Sequence, residues 1–409
     1  MAQRLTATET AARLGVKPET LYAYVSRGLL GRERDRSGST FDPLEVEEFA
    51  ASRQRSGTHR TPVLIKDGRP SGGPLMTIES DVALIEDDAL YYRGVEARTL
   101  AAELDFEEVC LGLWRRSAPA PTGTRFRPLP GAVDAVRAVL SRLPDGTLST
   151  DRIRTAVPVL GALDPLREEL QTEAVISRSE AMIATLATVL GADDGTGRDD
   201  HRIADRLAAG LAADRGPDLA ECVNAALVLL VDHDLAASTL AARVAASARA
   251  NPYAVVSSGL GALDSALHGN VSRAAHRMLA AVVAGEPTRD VVSGTIVAGR
   301  SGVPGFGHRL YRDRDPRAEM IFSLLEPMPA AAPVLAAAAE VSDLVADHGG
   351  SFRNVDLGLA ALTLTGKMAA EAGEVIFAIA RIGGWIAHAL DEYSQPPLRL
   401  RPVGRYIGP

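Results

Sequence analysis

Lysine is almost missing from this 409-residue chain: Lys17, Lys66 and Lys367 are the only three among 44 basic residues, and the rest are arginine. Taken alone, that bias reads as genome base composition rather than function. Aromatic residues are scarce at 4%, while alanine is abundant, a composition that favours helices packed closely through small side chains. The two cysteines, Cys110 and Cys222, sit in apolar helical contexts with no CxxC. That excludes a disulfide framework and makes a reducing, cytoplasmic setting the expectation. No apolar run approaches the ~18 residues of a membrane span, and the opening MAQRLTATET lacks the apolar stretch of a signal peptide, so no membrane partner is expected. No HxH or HxxxH pair occurs among the eight histidines, and no metal site is expected. The net charge of −8 excludes wholesale coating of nucleic acid but leaves room for a local basic patch.

What is present divides the chain. Its length suits two or three domains, and 46% hydrophobic residues supply a large core. Residues 1–60 hold ten basic and eight acidic residues, so the slightly basic head precedes an acidic body. In LTATETAARLGVKPETLYAYVSRGLL, Thr6 or Thr8 can cap a first helix running to Leu14, Gly15 turns the chain, and Lys17-Pro18 starts a second helix ending near Gly28. An arginine-rich loop follows, then a third helix opened by Asp42-Pro43. The second helix presents Thr20, Tyr22 and Arg27 outward, where they can meet a major groove. Arg32, Arg34 and Arg36 can reach phosphates. ETLYAYVSRGLL with its basic wing resembles the MerR-type helix-turn-helix, which implies contact with double-stranded DNA through residues 1–52. A small helical bundle for protein contacts is the plainer alternative, and Glu33 and Asp35 dilute the patch. Polar residues 53–62 read as a linker.

After a short β-prone opening (PVLIKDG, then DVALIEDDALYYRG), the body is mainly α. Apolar residues recur at i, i+3, i+4 in RTLAAELDFEEVCLGLWRR, GAVDAVRAVLSRL, SEAMIATLATVLG and two longer stretches starting at Asp218 and Val355. His233 lies in VDHDLAAST, inside what reads as an apolar helix. His268 lies in ALHGN, and His308 follows a glycine-rich loop. Each alone is more often a satisfied core or loop histidine. In GFGHRLYRDRDPRAE, Asp315-Pro316 marks a helix start. Arg317 then falls in the first turn, against the helix dipole. A bound anion removes that conflict; an arginine in open solvent is the alternative. No Gly-Lys-Ser/Thr follows, so the loop is not a P-loop. Asp356 opens a long apolar helix and, as its N-cap, needs no further role. Arg381 sits inside an apolar helix, an expensive place for a cation without an anionic partner.

YYRG at 91–94 with FEEV at 106–109, DHDLAAST at 232–239, ANPYAVVSSGLGALDSALHG at 250–269, VPGFGHRLYRDRDPRAE at 303–319, RNVD at 353–356 and RP…RYIG at 401–408 together resemble the citrate synthase family in order and spacing. The resemblance covers about 61–409. It implies a mainly α, two-domain fold: a large domain (61–269 and 361–409) and an inserted small domain (270–360). It implies an acyltransferase that joins acetyl-CoA or propionyl-CoA to oxaloacetate, giving citrate or 2-methylcitrate, with acyl-CoA as co-substrate and no permanent cofactor. By likeness Asp356 is the base, His268 the enolate donor and His308 the group that polarises the ketone. His233, Arg317, Arg381 and Arg401 form the carboxylate clamp, Arg401 coming from a second subunit of a homodimer. Gly302, Val303, Gly305 and Phe306 line the CoA adenine, and Arg353 can meet a CoA phosphate. The sequence departs from the family at His268-Gly269-Asn270-Val271-Ser272, where the family reads His-Gly-Gly-Ala-Asn, and at Ala236, where it has Asn. A regulator whose synthase-like body senses acyl-CoA or oxaloacetate without turnover is the competing reading.

Overall fold

The computed structural model describes residues 3–35, 38–56, 76–116, 122–190, 200–213, 216–265, 271–299 and 302–408. In the head, β1 (Leu5–Thr6) leads into α1 (Ala7–Arg13), α2 (Pro18–Ser26), β2 (Glu33–Asp35), β3 (Gly38–Phe41) and α3 (Pro43–Ser56). Thr6 rather than Thr8 caps α1: its hydroxyl accepts from the Glu9 amide, and Glu9 answers by accepting from the Thr6 amide. The strands pair antiparallel in the order β1-β3-β2. Leu5, Leu14, Leu21, Leu30, Phe41 and Val46 close a small core of their own. Because α3 continues to Ser56, the first four residues of the expected linker are helical; 57–62, like PVLIKDG, lie outside the described residues.

The body begins with an antiparallel meander, β4 (Ala83–Glu86), β5 (Ala89–Tyr92) and β6 (Val95–Glu96). Helices α4 (Ala97–Glu103), α5 (Phe106–Arg115), α6 (Ala132–Leu140), α7 (Ser149–Leu163), α8 (Thr172–Leu190) and α9 (Ile203–Leu211) follow. Next come α10 (Pro217–Leu230), α11 (Ala237–Ser247), α12 (Pro252–Leu263), α13 (Val271–Val283), α14 (Thr288–Ala298) and α15 (Pro316–Leu325). The last three are α16 (Ala332–Asp347), α17 (Val355–Thr365) and α18 (Ala372–Tyr393). Helices α13 to α17 pack chiefly on one another. Helix α18 is the hub of the rest, touching α5, α7, α8, α10, α11 and α12.

Three long periodic stretches prove to be helix pairs. The first breaks at Leu104–Asp105, where the Asp105 amide donates to Glu108. The second breaks at 231–236, so His233 sits in a kink and not within a helix. The third breaks at 366–371. Asp234 and Lys367 take positive φ at the latter two breaks, a conformation that ends a helix whatever the apolar spacing on either side of it. That is why periodicity alone runs through them.

Helix α18 and the segment Pro329–Asp347 are long and apolar enough to cross a membrane by length and composition, which revises the expectation that no run is. The position of α18 explains its composition, since 89% of its apolar window is buried inside the body. It approaches the kink at 231–232 through Gly384, where a Cβ would stand 2.2 Å from the Val231 carbonyl oxygen and 3.0 Å from Asp232.

Candidate active site

A backbone zipper brings the Gly-rich loop and the start of α17 together. The Asn354 amide donates to the Gly305 carbonyl and the Gly307 amide to the Phe352 carbonyl, both at 2.8 Å. The Asn354 side chain adds a bond to the Gly307 carbonyl. Gly305, at φ +89°, lies so close to α17 that a Cβ would meet Leu357 Cβ at 2.8 Å, and only glycine takes that conformation without cost. The zipper thus ties the segment that leads into His308 to the one that leads into Asp356, in the first turn of α17.

Asn354, not Asp356, caps that helix by accepting from the Asp356 amide at 2.9 Å. The Asp356 carboxylate is thereby relieved of the structural duty expected of it. Burial pushes its pKa up to about 6, with Arg317 opposing and Asp315 adding to the rise.

His308, His233 and Tyr311 form an aromatic cluster. The His233 and His308 rings meet edge to face with centroids 4.9 Å apart, and His308 lies 4.9 Å from the Tyr311 ring. His233 Nε2 shares a 3.0 Å hydrogen bond with the Tyr311 hydroxyl. The Leu310 amide donates to His308 Nδ1 at 3.1 Å, which assigns the ring proton to Nε2 when His308 is neutral. Neutral it is at pH 7: burial, helped by Arg317, pushes its pKa down to about 4. Burial likewise holds His233 well below the usual histidine range, reinforced by Arg317 and His308.

Two buried arginines face this cluster. Arg317, 3% exposed, stacks over Tyr311 with its guanidinium carbon 5.4 Å from the ring centre. Its Nε and Nη2 donate to Asp315 at 2.9 and 2.8 Å, so the anion that reconciles it with the helix dipole is already in the chain. A bound anion is not required there. Asp315 also accepts from the Arg317 and Val355 amides, joining α15 to α17. Arg381 donates Nε to the Leu230 carbonyl at 3.0 Å and packs on Phe377. Its Nη1 is buried with no hydrogen-bond partner among the described residues.

Asp88, in the tight β4–β5 turn, accepts from the Arg312 and Asp313 amides and pins the chain between His308 and Arg317. Tyr311 and Asp88 had no role in the sequence reading, and Asp315 had only that of a helix cap. Tyr311 was within reach, three residues after His308; the Asp88 contact spans 224 residues and leaves no local mark.

Of the expected site residues, His233, His308, Arg317, Arg381 and Asp356 converge. His268 lies outside the described residues, as does Arg36. Arg401 is exposed on the C-terminal segment and joins none of these contacts. Gly302, Val303, Gly305 and Phe306 form the loop above Asp356. Arg353 bonds Glu319 through Nε and Nη2 at 2.8 and 3.1 Å and covers Phe322. With Arg314 it borders an open cleft of about 470 Å³ beside Phe306. In the head, Tyr22, Arg27, Arg32 and Arg34 are exposed and Thr20 is half-buried. No group of three or more candidate metal ligands occurs among the described residues.

Residues 74–403 match the family model described as citrate synthase, C-terminal domain. A protein named citrate synthase from Haloferax volcanii is 30% identical, the match covering 82% of this chain and 94% of that one. A protein named 2-methylcitrate synthase from Mycobacterium tuberculosis is 27% identical over 88% of this chain and 96% of its own. The crystal structure of citrate synthase from Thermotoga maritima superposes with a TM-score of 0.67 at 26% identity, covering 82% of this chain and 94% of that one.

Proposed function

The chain belongs to the citrate synthase family, and from that premise we propose that it condenses an acyl-CoA with oxaloacetate and releases CoA by hydrolysis of the thioester. The observation that carries this reading is that a buried carboxylate, Asp356, and a neutral Nε2–H donor, His308, both lie within the field of the buried Arg317, with the buried Arg381 facing the same histidine cluster. Asp356 takes the proton from the carbon next to the thioester, and His268 donates to the enolate oxygen. The carbon nucleophile attacks the ketone of oxaloacetate, whose oxygen receives a hydrogen bond and then the proton of His308. His233, Arg317 and Arg381 hold the carboxylates, the open Nη1 of Arg381 supplying a donor that the fold leaves unused. Water then cleaves the thioester to yield citrate or 2-methylcitrate and free CoA. No permanent cofactor takes part.

We assign Arg401 to the active site of a second copy. Val403, Tyr406 and Ile407 on the same segment are 98%, 81% and 89% exposed, a cost that dimerisation would remove. The α13–α17 group then acts as the smaller domain, closing on the larger to exclude water before proton abstraction. With oxaloacetate and either acetyl-CoA or propionyl-CoA, the purified protein is expected to release free thiol, and Asp356→Asn is expected to abolish the release. No thiol release from the parent, with oxaloacetate binding retained, would sink the catalytic reading in favour of a sensor.

A second reading concerns the head. Its α1–turn–α2 unit with the β2–β3 hairpin matches a winged helix-turn-helix in element order. Exposed Tyr22, Arg27, Arg32 and Arg34 lie where such a unit meets DNA. Binding to duplex fragments that weakens steeply with salt, and is lost on replacing Arg27, Arg32 and Arg34 with alanine, is the expected result. Binding indifferent to those replacements would exclude it.

A further inference from the structure

The head is fastened to the body along α14, at both ends of that helix. Near the start of α14, Arg289 pairs with Asp42 at 2.7 Å, and Asp42 accepts from the Leu44 amide in the first turn of α3. At the other end, Arg13 of α1 donates to the Ile296 and Gly299 carbonyls at 2.9 and 3.2 Å while pairing with Glu47 of α3. Arg289 also approaches His348 Nε2 at 3.4 Å, at the C-terminal end of α16. Leu44, although it belongs to the head, is 2% exposed and is counted in the core of the body.

Between the head and the body lies a part-open cavity of about 160 Å³. Leu44 and Glu47 of α3 form one wall, and Val303, Phe306, Val345 and His348 form the other. Phe306, Gly350 and Ser351 are shared with the cleft bordered by Arg314 and Arg353. An apolar slot with a few polar groups at its rim suits a flat heteroaromatic ring. In the adjoining cleft Arg314 and Arg353 stand among Asp313, Glu319 and Asp343, with Arg353 held by Glu319, so Arg314 is the cation there that can meet a phosphate.

We propose that the head supplies one wall of the acyl-CoA nucleotide site. The adenine lies between Leu44 and the Val303–Phe306 loop, with its phosphates toward Arg314. This rests on the acyl-CoA reading above and adds to it a role for residues outside the synthase-like body. It also makes acyl-CoA a ligand of two units at once. Whatever fixes the head on α14 tightens acyl-CoA binding, and by linkage acyl-CoA fixes the head.

The test uses the full chain and two thioesters with the same acyl group, the CoA ester and the pantetheine ester, which lacks the nucleotide. Leu44→Ala, which strips the wall, and Arg289→Ala, which releases the fastening, are each compared with the parent. The KM for acyl-CoA is expected to rise roughly tenfold, the scale of one lost buried apolar contact. The KM for acyl-pantetheine and for oxaloacetate should stay unchanged. Hydrogen exchange in α1 and α3 should slow when CoA is added to the parent, and less so in Arg289→Ala. Equal KM changes for both thioesters, or none for either, would overturn the proposal, as would exchange in the head that ignores CoA. A parent that neither binds nor turns over acyl-CoA would instead overturn the acyl-CoA reading itself.

Discussion

At its C-terminal end, α18 pairs its buried charges within the chain, leaving Asp232 Oδ1 as the one atom of that network without a hydrogen-bond partner among the described residues. His388 bonds Asp232 at 3.1 Å and Arg243 at 2.8 Å. Glu392 takes Arg243 at 2.6 Å and Arg399 at 2.5 Å. About two turns earlier, Arg381 is just as buried, yet it gives one nitrogen to a carbonyl and leaves Nη1 unpartnered among the described residues. The contrast separates scaffold from socket. Charges paired within the chain specify packing, whereas on the reading proposed above the open nitrogen of Arg381 is the one kept for a substrate carboxylate. Composition could not have drawn that line, because both places read as a charged residue in an apolar helix.

The largest effect should come from emptying the socket. Arg381→Leu is expected to raise the KM for oxaloacetate by about 10²-fold or more, the cost of removing one partner of a desolvated charge pair. The thermal midpoint should hold or increase, since the change also removes an unpaired buried charge. A fall in stability comparable to that of a core mutant would erase the distinction. Next comes a break in the paired network. Glu392→Gln leaves Arg243 uncompensated and should cost about 3–5 kcal/mol in denaturant unfolding. The kcat/KM of the folded protein should be nearly unchanged.

A pH series sharpens the comparison further. As the base proposed above, Asp356 acts only when ionised, so kcat/KM is expected to fall about tenfold per pH unit below roughly pH 6. His308, with its pKa pushed down to about 4, stays neutral through that range. The smallest effect follows from the same carboxylate. Its folded pKa is raised, so its charged form weighs against folding above about pH 6, and that burden lifts as the pH falls toward the unfolded value. Asp356→Asn should therefore melt above the parent at pH 8, with the gap closing by pH 4.

Much of this architecture was legible locally. Pro18, Pro43 and Asp315-Pro316 marked helix starts that the structure reproduces to the residue, because capping and proline geometry are decided within one turn. The site was legible as residue types in order along the chain, but the partnerships that define it were not. Asp315 as the counter-ion of Arg317, Asn354 as the cap that frees Asp356, and Asp88 as the anchor of the His308 segment all depend on tertiary approach. The grip of the head on α14 joins Arg13 to carbonyls more than 280 residues away, and no periodicity encodes it.

Gly384 carries one more consequence. With no side chain of its own, it lets α18 come within contact of the kink that holds His233, which brings the Leu230 carbonyl within reach of Arg381 and Asp232 within reach of His388. Tolerance at this position should therefore sort by volume and not by polarity. Alanine and serine should be about equally damaging and anything larger worse, so a saturation scan there would read out a gap of one methyl group, with chemistry nearly silent.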